Sequence, residues 1–529
     1  MKYPIGVQEF ESIRTGGYVY VDKTDLIYRL VSRGKIYFLS RPRRFGKSLL
    51  VSTLKCYFEG RRELFEGLAI DKLENEWNSY PVFYLSFDGQ NFVEPYQLDH
   101  VLEEFVANGE KLYGKDELAQ TLGSRFKQVL KNAQVKTGRK AVVLIDEYDK
   151  PLLDVLGMEN LKVAVGENEM SIEDYNRNLL KGFFSVLKEA EGTLQFVLLT
   201  GVTKFSQVSV FSGMNQPDDI SMSARYDTIC GITENELQAI FQGPIVEMAQ
   251  IYGIDTEEMK HRLKRKFNGY HFSRRMVGVY NPFSILRTFN ELLMDDYWFS
   301  TGSPTYLIRL LAKSNENLNE LVGKYYSTQQ FVDYKADVEE PLPMIYQSGY
   351  LTIKGYDMDT NSYLLDFPND EVKNGFITMV ATSYLAPKEN PNSWLLQTVK
   401  ALREGNVDLL EKLLTSFLAS IPYSQRRKDN EREKERYFQY TFYLLLRMIS
   451  CFAVFIEKET CEGRSDCVVE TPKYVYIFEF KRDGKADDAI KQIDKMGYAR
   501  EYKADTRMII KIGCNFSSKT GTVDGWKVE

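Results

Sequence analysis

The sequence predicts an α/β protein: a doubly wound parallel sheet at the N-terminal end, a helical middle closed by a hairpin, and a second, smaller α/β domain at the C-terminal end. Three observations predict it. The apolar runs Lys35–Ser40, Pro81–Phe87, Ala141–Ile145 and Leu194–Thr200 are separated from one another by helical patterns, which is how the strands of a parallel sheet read. The segment Arg41-Pro-Arg-Arg-Phe-Gly-Lys-Ser48 follows the first of these runs directly. Between residues 435 and 502 the order is helix, strand, strand bearing an aspartate, strand ending Glu-x-Lys, helix.

The first strand passes the chain to a loop containing Gly46-Lys47-Ser48 and then to a helix starting near Leu49. A phosphate-binding loop needs that context, because backbone N–H groups and the helix N-terminus must face the phosphates. Lys47 would reach the outer phosphates and Ser48 would ligate magnesium, with Arg43, Arg44, Phe45, Gly46 and Leu49 completing the cradle. The usual pattern opens on glycine. Here Arg41 holds that position, so the match is to the Gly-Lys-Ser half of the motif.

Ala141-Val-Val-Leu-Ile-Asp-Glu147 is a continuous apolar run, as expected for a strand buried on both faces of a parallel sheet. It ends in two acids at the carboxyl edge, where open α/β sheets bind ligands. Asp146 would hold magnesium through water, and Glu147 would polarise the attacking water. A strand between the phosphate loop and the acidic pair, with glutamate following aspartate, points to the ATPase branch that carries an extra central strand. Thr200 ends the fourth strand, where such enzymes sense the γ-phosphate; Thr203 and Lys204 stand nearby, and plain turn chemistry is the competing reading. Arg225 is a further candidate for touching phosphate.

At 529 residues the chain has room for about three domains. The expected divisions are an ATPase domain at 1–234, a helical and winged-helix-like module at 235–385, a helical linker at 386–425 and a nuclease-like domain at 426–529. Net charge is −6, so nucleic-acid contact must rest on local basic patches. The six cysteines lack metal-ligand spacing and only three histidines are present, which argues against structural zinc and for a reducing compartment. No signal peptide or membrane-length apolar run stands out, so a cytoplasmic protein with no membrane association is expected.

In the middle, Thr233-Glu-Asn-Glu236 is a capping box opening an amphipathic helix through Tyr252. A helix over Thr305–Leu311 and paired strands over Ile345–Ile353 and Asn361–Phe367 follow, and helices before a hairpin suggest a winged helix. Lys264-Arg-Lys266 and Arg274-Arg275 are either phosphate contacts or solvated helix faces.

The C-terminal order of elements is that of the PD-(D/E)XK core. Two carboxylates at neighbouring strand ends hold magnesium near the scissile phosphate, and a lysine near the glutamate orients or deprotonates water. Asp466, Glu479 and Lys481 fill these roles, with Glu435 on the preceding helix as a further metal ligand and Gln492 and Tyr498 on the following one. Glu479 and Lys481 are two apart and leave the same face of their strand. A strand this apolar makes an acid at its end costly unless it is paired or metal-bound. Arg426-Arg-Lys428, Arg464 and Arg482 are candidate contacts to the DNA backbone.

Taken together, Pro4-Ile-Gly, Tyr20-Val-Asp-Lys-Thr24, Arg41–Ser48, Ile145-Asp-Glu-Tyr-Asp-Lys-Pro151 and Thr200-Gly-Val-Thr-Lys-Phe-Ser206 resemble the bacterial AAA-ATPase-like family, which is similar to archaeal-type ATPases of the STAND group. The resemblance covers nearly the whole chain. It implies ATP as the nucleotide, an arginine-rich opening of the phosphate loop as normal, Tyr20–Thr24 packed near the base, and a PD-(D/E)XK nuclease-like C-terminal domain. The function expected is ATP binding and hydrolysis controlling magnesium-dependent cleavage, manganese being an alternative ion at the nuclease site. Nucleic acid is the expected partner, DNA more than RNA, in defence or mobile-element biology, with a protein trigger and homo-oligomerisation as further partner expectations. The alternative is an ATP-driven switch or scaffold whose nuclease-like domain only recognises.

Overall fold

The computed structural model describes residues 1–158, 160–205, 217–300, 307, 321–332, 341–376, 391–420, 453–460, 463–503 and 505–529. The chain divides into two compact units, Met1–Lys373 and Asn374–Glu529.

In the N-terminal unit, β1 (Ile36–Ser40), β2 (Val82–Ser86), β3 (Ala141–Asp146), β6 (Leu194–Gly201) and β7 (Asp218–Asp219) form one parallel sheet in the order β2-β3-β6-β1-β7. A short antiparallel hairpin, β4 (Lys162–Val165) with β5 (Asn168–Ser171), stands apart from it. Every residue of β3 is buried, which matches its unbroken apolar run. The helices α1 (Lys47–Phe58), α2 (Gln97–Tyr113), α3 (Leu122–Thr137) and α4 (Ile172–Glu189) connect the strands. The expected central strand is present, and it is β6 that lies between β1 and β3, while β2 lies at the edge.

The same unit continues through α5 (Glu234–Tyr252), α6 (Thr256–Phe267) and α7 (Pro282–Glu291). The capping box at the start of α5 forms as expected: Thr233 and Glu236 each accept from the other's backbone N–H, at 3.3 and 2.8 Å. Leu237, Phe241, Met259, Leu263, Ile285 and Phe289 make the core of this helical layer. Beyond it lie β8 (Lys324–Ser327), α8 (Leu342–Gln347), β9 (Thr352–Asp357) and β10 (Ser362–Asp366), the strands forming an antiparallel sheet in the order β8-β10-β9.

The strand expected over Ile345–Ile353 is corrected. Ile345–Gln347 is the end of α8, and the strand begins only at Thr352. Pro341 and Pro343 preset helical φ at the start of α8, and Gly349, at φ +89°, turns the chain before the strand. Apart from Leu307, the helix expected over Thr305–Leu311 lies outside the described residues. Part of the basic clusters is paired at the surface: the largely exposed Arg265 pairs with Asp370 at 3.0 Å, Lys266 with Asp296 at 2.7 Å, and Arg275 donates to Ala224 O at 2.6 Å.

In the C-terminal unit, α9 (Pro391–Glu404) and α10 (Val407–Ser420) form a helical hairpin. It is followed by a five-stranded sheet of β11 (Ala453–Thr460), β12 (Gly463–Glu470), β13 (Tyr474–Arg482), β14 (Met508–Phe516) and β15 (Val523–Val528), paired in chain order. Only β13 and β14 are parallel. That crossover contains α11 (Ala486–Lys495), whose Ala489, Ile490 and Ile493 are buried. The helix expected through Tyr502 stops earlier, because Gly497 takes φ +62° and a short 3-10 turn, Arg500–Tyr502, follows. No helix among the described residues is long and apolar enough to cross a membrane.

Candidate functional site

The Arg41–Ser48 loop, the candidate phosphate loop, runs from the end of β1 into α1, which begins at Lys47, two residues before the expected Leu49. Arg44 and Gly46 take left-handed φ of +68° and +88°, a curl that turns successive N–H groups inward. A Cβ on Gly46 would meet nothing within 4 Å, so glycine is required there by its backbone angle and not by crowding. Lys47 is buried, and its Nζ donates to the carbonyls of Arg41 and Pro42 at 3.0 and 3.1 Å. Ser48 stands half-buried in the first turn of α1. The side chains of Arg44 and Phe45 are engaged away from the loop interior: the Arg44 guanidinium lies 4.4 Å over the Phe283 ring, and Phe45 packs edge-on against Tyr270 and Phe272.

The parallel register brings the acidic pair to the same sheet edge. Thr200 Oγ1 donates to Asp146 Oδ1 at 2.5 Å, joining the end of β6 to the end of β3. Glu147 follows at φ +53°, and burial raises its pKa against the opposing pull of Lys47. Tyr148 and Asp149, which sequence reasoning left without a role, hold the loop after β6. Asp149 Oδ2 accepts from Val202 N, Thr203 N and Thr203 Oγ1 at 2.9, 2.6 and 2.7 Å, and Tyr148 donates to Thr203 O at 2.9 Å. Lys204 is tied by its ammonium to Asp219 at 2.7 Å. Arg225 is exposed.

An apolar pocket opens beside the loop, lined by Tyr20, Val21, Phe45, Leu49, Ile232 and Pro282 among others. The Tyr20–Thr24 segment is pinned at its edge, since Lys23 Nζ bonds both oxygens of Glu236 at 2.7 Å and Asp22 Oδ1 accepts from Thr24 N at 2.9 Å.

In the C-terminal unit, the antiparallel pairing of β12 with β13 brings Asp466 beside the end of β13, where its Oδ2 accepts from Phe480 N at 2.8 Å. Glu479 is 2 % exposed, and its Oε2 has no hydrogen-bond partner among the described residues. Its pKa is pushed up to about 8, first by burial and then by the Asp466 carboxylate, with Lys481 opposing. Lys481 Nζ lies 3.4 Å from Glu479 Oε1 and donates to Gln492 Oε1 at 2.6 Å. Glu479, Lys481, Asp466 and Gln492 are therefore brought together. Glu435 and Arg426–Lys428 lie outside the described residues. The donor set fits a hard divalent cation: two carboxylates converge, and the buried one keeps an oxygen free. Among the described residues no group of three or more His, Cys, Asp or Glu side chains is placed to hold a metal ion, so any ion here needs further ligands.

Residues 4–211 match the family described as Predicted AAA-ATPase, and residues 433–526 match the PD-(D/E)XK nuclease superfamily. A protein of Azotobacter chroococcum mcd 1, described as an uncharacterized protein in the vnfD 5' region, is 34% identical over 533 residues, covering 100% of this chain and 99% of the relative. The chain belongs to the AAA-ATPase-like family. The resemblance carried by the motifs is borne out at both ends of the chain. In this AAA-ATPase-like chain Arg41 is a buried strut, 1 % exposed, and no phosphate-facing group; a charge in a glycine's place carries no sequence signal of that kind. The Trp298 indole donates to Arg43 O at 3.2 Å, a contact across 255 residues that no local pattern encodes.

Proposed function

We propose that this AAA-ATPase-like protein binds and hydrolyses ATP, and that the nucleotide state controls metal-dependent cleavage of DNA by its C-terminal domain. The base would lie in the apolar pocket beside Tyr20–Thr24. The main-chain N–H groups of Arg43, Arg44, Phe45, Gly46 and Leu49 would line the phosphates, and Lys47 would leave its two carbonyls to meet them. Ser48 and Asp146 would hold magnesium, whose charge offsets that developing on the phosphates. Glu147, with its raised pKa, is suited to take up hydrogen-bond character toward water, and Thr200 is set to report the γ-phosphate through Asp146. The helices α5 to α8 with the β8-β10-β9 sheet are read as a winged-helix-like module.

The observation that carries the nuclease reading is the unpartnered Oε2 of buried Glu479. A carboxylate so placed is costly without a counter-charge and becomes favourable beside a cation. Asp466, Glu479 and Glu435, the last outside the described residues, would hold that ion, magnesium or manganese, which would supply Lewis acidity at the scissile phosphate. Lys481, steadied by Gln492, would orient or deprotonate the water. The test is cleavage of labelled linear and single-stranded DNA by the full chain with magnesium or manganese, with and without ATP, beside Lys481→Ala and Lys47→Ala. Cutting lost in Lys481→Ala and altered by ATP or by Lys47→Ala supports the proposal. Intact ATP turnover with no cutting under either metal refutes the nuclease half. It would favour the switch or scaffold, a reading to which the pairing of Arg265 and Lys266 with acids of the N-terminal unit also leans.

A further inference from the structure

We propose that Arg41 is a positioning residue of the nucleotide site, linking the occupancy of the phosphate loop to the segment 268–298 behind it. The inference rests on the reading of this loop as an ATP site. Arg41 is 1 % exposed and finds no carboxylate among its hydrogen-bond acceptors within the described residues. Its Nη1 donates to the carbonyls of Ser40 and Ser221 at 2.8 and 2.7 Å, its Nη2 to Tyr226 O at 3.2 Å, and its Nε has no partner there. The guanidinium lies 4.0 Å over the Phe272 ring. Burial away from any carboxylate is costly for a cation, and here three carbonyl acceptors and the Phe272 ring offset that cost while fixing the guanidinium in place.

Its neighbours extend the pattern. A Cβ on Gly349 would stand 2.6 Å from Pro42 Cβ; Trp298 donates to Arg43 O; Arg44 lies over Phe283; Phe45 packs on Tyr270 and Phe272. The outer wall of the loop, from Arg41 to Phe45, is thus made largely by residues 180 or more positions away in sequence. On the inner side, Arg41 O and Pro42 O hold the Lys47 ammonium. Phosphates that take that ammonium release the carbonyl of the same residue whose guanidinium sits on Phe272. The loop is one element biased from both sides, and the coupling is reciprocal: whatever grips 268–298 changes ATP affinity by the same factor.

The test is amide exchange over 268–298 in the full-length protein, with and without a non-hydrolysable ATP analogue plus magnesium. It is run beside Arg41→Gly, which restores the glycine such loops usually carry, and beside Phe272→Leu and Phe272→Tyr. The analogue is expected to slow exchange about tenfold in the wild type and in Phe272→Tyr. In Arg41→Gly and Phe272→Leu it should still bind, within about threefold of the wild-type Kd, while the slowing drops below about twofold. A merely structural role would lower stability without removing the response to the analogue. Wild-type exchange unchanged at saturating analogue, or an undiminished response in Arg41→Gly, overturns the inference while leaving ATP binding intact. A wild type that binds no analogue brings down the ATP reading first and this one with it. Should Arg41→Gly fail to fold, the contrast between Phe272→Leu and Phe272→Tyr decides the matter in the same way.

Discussion

Replacing Glu479 by glutamine tests the metal reading through stability, independently of catalysis. The carboxyl has an ordinary value of 4.5 and is raised to about 8 in the fold, chiefly by burial. A raised acid binds its proton more tightly folded than unfolded, so folding is undisturbed below pH 4.5, loses stability as pH climbs toward 8, and loses no more above it. Each tenfold difference in proton affinity is worth about 1.4 kcal/mol, so the wild type should lose about 3 kcal/mol between pH 5 and pH 8 that the glutamine variant keeps. The assay is amide exchange of the buried β13 residues Val475–Phe480, in metal-free full-length protein at several pH values. The ratio of wild-type to variant exchange should rise more than about a hundredfold across that window. Manganese at pH 8 should restore wild-type protection by mass action and leave the variant unchanged. A ratio that stays constant with pH would refute the claim that this carboxylate is held at a cost. A variant that manganese protects equally would refute its role as a ligand.

Lys47→Ala should cut ATP turnover by about a hundredfold or more, because a preorganised cation at the phosphates is lost; steady-state phosphate release reads it. Asp149→Ala strands three buried donors on Val202 and Thr203 and should destabilise the N-terminal unit by about 3–5 kcal/mol, visible as early unfolding in a denaturant titration. Gln492→Leu frees Lys481 from its 2.6 Å partner and should lower DNA cleavage about tenfold or more with DNA affinity unchanged; equal losses in both would assign Gln492 to binding instead.

Both sites are legible where chemistry and local pattern coincide. The run Ala141–Ile145 reads as a strand buried on both faces and is one, and the alternation of a strand by itself puts Glu479 and Lys481, two residues apart, on one face. Thr233 and Glu236 announce a helix start by a mechanism, and it forms at that position. What stays illegible is long-range. Nothing in β6 says that it inserts between β1 and β3, because strand order is decided by how crossovers pack and not by the residues of one strand. Ile345–Gln347 looks extended because its residues are apolar and aromatic, while the prolines just before them decide for helix. Arg41 is the sharpest case. Alone, an arginine in a glycine's place reads as a damaged motif; its acceptors at Ser221 and Tyr226 and its ring at Phe272 are far off in the chain. A phosphate loop normally uses glycine there so that nothing obstructs its curl. Here the side chain points out of the curl into a socket made by the rest of the unit. The loop is therefore braced from behind by distant residues, and substitutions in that socket should weaken the response of 268–298 to nucleotide before they reach the fold.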